Sequence, residues 1–249
     1  MSIDGGGIDQ MMESPITECS RFGKKVCSIP TDISMMKTFL RLSGLIQSDL
    51  DASVVIDAMK TKLGVANEAD IYENRAFQNM IGYGHAKEVL EKEFLPKGPA
   101  TGTALLDNYH IDNSLKQWSL IGDTESKKKF YHIPFQMIDF ANTKTELDSL
   151  NIVDLIKKKY DSFGVIINTD VSSGRGIHWL KQIIALGKTG IKAESISATG
   201  GKQIQYSNTE CGVWSLIYIK SRLTGDPYDR IIKSTDAQMI ELRSKLFRQ

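Results

Sequence analysis

Asn208-Thr209-Glu210-Cys211-Gly212-Val213-Trp214-Ser215-Leu216-Ile217-Tyr218-Ile219 reads as a polar turn, a cysteine and then an apolar run. Asn208 or Thr209 can cap a helix here, because their side chains accept bonds from the unpaired amides of a first turn. Trp214, Ile217, Tyr218 and Ser221 recur at helical spacing, and Leu216, Ile219 and Leu223 make a second apolar row. A helix apolar on both rows is buried, and Gly225 and Pro227 end it. Cys211 is therefore expected at the amino end of a buried helix. Partial positive charge and unpaired amides there favour thiolate over thiol, lowering the thiol pKa and raising its nucleophilicity. Gly212 is expected to keep the approach to the sulfur open. Gln205, six residues upstream, has a side-chain amide able to donate to a developing oxyanion. The same pattern also describes a small cysteine that only packs.

The run Gln205…Thr209-Glu210-Cys211-Gly212…Ser215-Leu216 resembles the nucleophile motif of the adenoviral and SUMO-specific cysteine proteases. The likeness is nearest to the polyprotein-processing proteases of African swine fever virus and other large DNA viruses. Three further blocks support it in the right order: Thr101-Gly102…Leu105-Leu106…Asn108…Ile111-Asp112…Leu115…Trp118, then Pro134-Phe135…Met137…Asp139-Phe140, then Phe163-Gly164…Asn168-Thr169-Asp170…Ser173-Gly174…Gly176…His178-Trp179. Leu246-Phe247-Arg248 also fits, so the resemblance spans roughly residues 96 to 249. It implies an α+β fold, with a papain-like (SUMO-protease-like) cysteine protease core. It also implies a thiol protease that cuts a viral structural polyprotein at Gly-Gly-type sites during virion maturation, in the virion or the viral factory of the host cytoplasm. The partners implied are that polyprotein or a peptide substrate, together with capsid or core proteins. No cofactor and no metal are implied.

Such a protease needs a histidine to take the thiol proton and an Asp or Asn to orient it. Gly176-Ile177-His178-Trp179 resembles the family's Gly-x-His-Trp block, which makes His178 the candidate base. Only 33 positions separate His178 from Cys211, fewer than the family's hairpin, helix and strand require. Two placements follow. In one, Leu180 to Ser197 is the hairpin, turning at Gly187-Lys188-Thr189-Gly190, with the acid position near Ser197 and Glu194 as the nearest carboxylate. In the other, the hairpin is missing and residues 179–186 form the later helix. The apolar spacing at 179, 180, 183 and 184 and the glycine at 187 favour the helix. A chain without the hairpin would be a catalytically impaired protease fold kept for binding or assembly.

The rest of the chain frames this core. Thirty-one Lys and Arg against thirty Asp and Glu give a net charge of +1 over 249 residues, without the basic excess of a nucleic-acid binder. The triplets Lys127-Lys128-Lys129 and Lys157-Lys158-Lys159 read as solvated faces. No apolar run reaches membrane-spanning length, and the amino end lacks the pattern of a signal peptide. Three cysteines, Cys19, Cys27 and Cys211, are few and odd in number, which suits a reducing compartment and argues against a disulfide scaffold. Gly187-Lys188-Thr189 is no phosphate loop, because Gln182 stands where that loop needs glycine.

Residues 1–30 read as a flexible tail, in which Gly5-Gly6-Gly7 is also a candidate self-processing site. Residues 31–95 read as a small helical arm, with helices from Asp32, across Val54 to Leu63, from Asp70 to Met80 and from His85 to Phe94. Met36, Phe39, Leu40, Leu42 and Leu45 are assigned to one face of the first helix. Pro96-Lys97-Gly98-Pro99 breaks helices and strands alike and marks the start of the core, 96–249. Within the core, residues 130–140 read as a strand and turn, Leu147 to Tyr160 as an amphipathic helix, and Phe163 to Thr169 as a buried strand. His110 reads as a cap or packing residue, His132 as structural and His85 as a surface residue.

Overall fold

Side-chain caps start several of the helices in the computed structural model. It describes residues 8–21, 24–46, 49–102, 104–125, 129–142, 145–147, 149–174, 179–187, 190–195, 206, 209–226 and 228–248. The first helix is α1 (Ile8–Glu13). The second, α2 (Pro30–Leu42), opens on a proline, whose missing N–H costs nothing at a first turn, and buries Ile33, Met36 and Leu40 along one face. Leu42 and Leu45, expected on that face, are exposed. Next comes α3 (Ala52–Leu63), closed by Gly64 at φ 66°. The single helix expected from Asp70 to Met80 is two, α4 (Glu68–Glu73) and α5 (Arg75–Ile81). Asn74 is extended between them, and its side chain accepts the Ala76 amide at 2.9 Å to start the second. The last of the group is α6 (Tyr83–Glu93).

The chain divides into two compact units. One is residues 14–96 with Arg248; the other is residues 97–247 with α1. The core of the helical unit gathers Met36, Leu40, Met59 and Ile71 around Tyr72, whose ring centroid lies 5.3 Å from those of Phe77 and Phe94. His85, expected at the surface, is half-buried, and its Nε2 lies 2.8 Å from the enclosed Asp32 carboxylate. Residues 8–30, expected as a flexible tail, instead hold α1, a β-bridge from Cys19 to Phe94 and a disulfide between Cys19 and Cys27. Gly5-Gly6-Gly7 lies outside the described residues. The disulfide corrects the expectation drawn from cysteine number. Its two ends are brought together at the start of α4. There the Glu18 carboxylate accepts the Glu68 and Ala69 amides, and the Glu68 carboxylate accepts the Cys27 and Ser28 amides. Cysteine parity carries no trace of that geometry.

The second unit begins with α7 (Asn108–Glu125). His110 and Asp107 cap it reciprocally, each backbone amide donating to the other's side chain, so His110 acts as the expected cap. Two short strands follow, β1 (Phe130–His132) and β2 (Gln136–Met137), both parallel to β3 (Ser162–Asn168). The helix expected over residues 147–160 is only α8 (Ile152–Lys157), started by Asn151, which accepts the Val153 and Asp154 amides. Within it Leu155 is buried, whereas Val153 and Ile156 are exposed. Leu155 joins Ile133, Phe163 and Val165 in the core on one face of β3.

Residues 179–187 are a strand, not a helix. They form β4 (Trp179–Gly187), antiparallel to β3 from Asn168↔Trp179 to Ser162↔Ala185. On its other side β4 pairs with β5 (Gly190–Ser195), from Gln182↔Ser195 to Gly187↔Gly190. A short apolar run suits a doubly buried strand as well as a helix, and two backbone ladders decide between them here. Gly187 ends a strand, where it pairs with Gly190. The sheet order is β1-β3-β4-β5, with β2 also on β3. Three helices close the unit: α9 (Cys211–Thr224), packed on β4, then α10 (Tyr228–Ile231) and α11 (Asp236–Arg243). Among the described residues, no helix is long and apolar enough to cross a membrane.

Candidate active site

Cys211 heads α9, as its sequence predicts, and remains a thiol with 6% of its surface exposed. Every residue from Cys211 to Ile219 is buried, and Gly225 at φ 87° ends the helix. The cap differs from expectation. Asn208 lies outside the described residues; Glu210 rather than Thr209 is the N-cap, and its carbonyl accepts the Trp214 amide at 2.8 Å. Its side chain makes no capping bond because it is engaged elsewhere. Glu210 Oε2 accepts from Arg243 Nε at 3.0 Å, and Oε1 accepts from the Thr209 hydroxyl at 3.0 Å. Both partners of this ion pair are enclosed, with side-chain exposures of 1% for Glu210 and 4% for Arg243.

Arg243 reaches further. Its Nη2 donates to the Thr209 carbonyl at 2.9 Å, and its Nη1 donates to the Ala104 carbonyl. Two residues beyond Ala104, Leu106 packs against Gly212. A Cβ built on Gly212 would stand 2.9 Å from the Leu106 Cβ. Gly212 therefore admits a neighbouring side chain rather than opening a path to the sulfur, which corrects its expected role. From α11, Asp236 accepts the Trp214 indole N–H at 2.9 Å and the Tyr206 amide at 2.8 Å. Thr235 and Gln238 form the capping box that starts α11 and fixes Asp236 in its first turn.

The other candidates divide cleanly. His178, Gln205 and Ser197 lie outside the described residues. Trp179, next after His178, opens β4 opposite Asn168. Glu194 is in β5, opposite Ile183. In the connection after β3, Ser172 donates its hydroxyl and amide to Asp139, holding that carboxyl below the usual carboxylate range. His132 stays on the structural side: its Nε2 lies 3.2 Å from Asp112, which also accepts the Phe135 amide. Among the described residues, no group of three or more His, Cys, Asp or Glu gathers to hold a metal. Sequence reasoning missed Arg243 and Asp236. The polar residue beside the cysteine was visible, but its partner lies 33 positions away in a helix that looks ordinary.

Two crystal structures of the African swine fever virus protease share this fold. One, with selenomethionine, superposes at a TM-score of 0.67 with 21% identity, over 98% of this chain and all of that one. The other gives 0.66 with 22% identity, over 94% and 97%. The chain carries a SUMO-protease-like fold with a cysteine at the head of a buried helix, and the proteins it resembles in sequence are named cysteine proteases. The relatives in sequence are viral. The chain is 27% identical over 256 aligned residues to a SUMO-1 cysteine protease from a Kenyan pig isolate of African swine fever virus, covering 83% of this chain and 90% of that one. The cysteine protease of the Vero-adapted Badajoz strain matches to the same extent. No protein-family model matches the chain.

Proposed function

We propose that this enzyme cuts a viral structural polyprotein after Gly-Gly-type sites during virion maturation, in the virion or the viral factory. Cys211 attacks the peptide carbonyl; His178 takes the thiol proton and then delivers a proton to the leaving amine. Gln205 and the Cys211 amide receive the oxyanion. Trp179, beside the histidine in sequence, shields the thiolate–imidazolium pair from water. Capsid or core proteins are the further partners of this reading.

The observation that supports it most is the pairing of β4 with β5. A protease relative reduced to a binding or assembly role was expected to lack a hairpin between the histidine block and the cysteine. That hairpin is present, and it begins one residue after His178. The test is incubation with peptides spanning Gly-Gly junctions of candidate polyproteins, followed by mass spectrometry. Cleavage after the second glycine is expected, with loss in Cys211→Ala and His178→Ala and a reduction of about 100-fold or more in Gln205→Ala. Cleavage elsewhere, or none in the wild type, contradicts the substrate assignment.

A further inference from the structure

A carboxylate one residue from a nucleophilic thiol opposes the thiolate, because like charges disfavour ionisation. Glu210 stands in that position, enclosed, at the cap of a 14-residue helix whose positive end would otherwise act on Cys211 unopposed. Arg243 cancels the charge at 3.0 Å. It does so through Nε and uses its other two nitrogens on the carbonyls of Thr209 and Ala104. A lysine presents one point charge and could not span all three acceptors, whereas a guanidinium is a rigid fork. The three acceptors belong to the turn before the cysteine and to the segment that carries Leu106 onto Gly212. Besides Arg243, α11 directs the Asp236 carboxylate at α9, where it meets the Trp214 indole and the Tyr206 amide.

We propose that Arg243 is a positioning residue for the nucleophile: it neutralises Glu210 and ties the 104–106 segment and the 209–210 turn to the amino end of α9, so that Cys211 feels its helix rather than a fixed negative charge. This rests on the cysteine-protease reading above.

The test is the pH dependence of Cys211 alkylation by iodoacetamide in the full, non-reduced chain, with Cys211→Ala as the blank and peptide cleavage followed separately. Arg243→Met leaves the carboxylate uncompensated. The thiol midpoint should rise by about one pH unit, and alkylation below it should slow about tenfold. Glu210→Gln leaves the guanidinium uncompensated, so the midpoint should fall. The double variant Glu210→Gln/Arg243→Met should return it to within about 0.3 unit of the wild type. Arg243→Lys keeps the charge and loses the fork, so the midpoint should hold while cleavage drops. If the Met and Gln variants move the midpoint in the same direction, or leave it fixed while cleavage falls, the pair only supports the fold and the proposal is overturned. Should Arg243→Met fail to fold, Glu210→Gln decides: an unshifted midpoint overturns the proposal, and a lowered one upholds it. A wild type that cleaves nothing, yet shows these opposed shifts, sinks the protease reading and leaves the electrostatic role standing.

Discussion

Each unit of this protein encloses a glutamate, and the two are balanced differently. In the helical unit, Glu68 accepts the Cys27 amide at 3.1 Å, the Ser28 amide at 2.7 Å and the Ser28 hydroxyl at 2.6 Å. Peptide dipoles carry its charge, and the result is an anchor for the chain around the disulfide. In the second unit, Glu210 is met by a guanidinium, and the neighbour in sequence is Cys211, the proposed nucleophile. Amide donors suffice to hold a loop. A full countercharge is what a carboxylate needs when it sits beside a group proposed to become an anion.

The contrast predicts unequal penalties. Arg243→Met strands a buried charge and should lower unfolding stability by about 3–5 kcal/mol in urea titration. A loss under about 1 kcal/mol would mean that water reaches the pair, as at an exposed site. Reduction of the Cys19–Cys27 bond, or Cys19→Ser with Cys27→Ser, should cost the helical unit about 2–3 kcal/mol through the freed chain entropy of a short loop. If reduction costs nothing, the Glu18 and Glu68 anchors hold the loop unaided. Glu68→Gln keeps an acceptor for the amides and should cost about 1–3 kcal/mol; a loss as large as that of Arg243→Met would erase the distinction between the two glutamates. Gly212→Ala should cost about 1–3 kcal/mol in the same urea titration by overpacking against Leu106; an unchanged stability would contradict the close approach of Leu106 to Gly212.

The smallest effect concerns pH. Burial raises the Glu18 pKa above its ordinary value of 4.5. A carboxyl raised in the folded state adds stability that is fully present below its unfolded pKa and is lost as pH rises through the folded value. The helical unit should therefore gain from this group on acidification from neutrality toward pH 4.5, and Glu18→Gln should remove that gain. Urea midpoints of the two proteins compared across that range provide the check; an opposite slope contradicts the burial argument.

What could be read beforehand follows physical lines. The helix headed by Cys211 was legible because two apolar rows, a glycine stop and a polar turn all agreed. The strand at 163–168 was legible from its run of β-branched residues. Residues 179–187 were misread because their apolar spacing suits both states, and the deciding force, pairing with β3 and β5, acts between distant segments. Asn74 and Asn151 split or shortened expected helices through side-chain caps that periodicity does not register. The Cys19–Cys27 bond and the Arg243–Glu210 pair escaped for a common reason: each joins positions whose closeness is created by the fold.

The most direct test of the account is labelling with a thiol-reactive peptide ending in Gly-Gly, timed in the wild type, Cys211→Ala and His178→Ala. A nucleophile activated by its helix and by an imidazole predicts rapid labelling of the wild type that both substitutions abolish. Equal, slow labelling of the wild type and His178→Ala would contradict it.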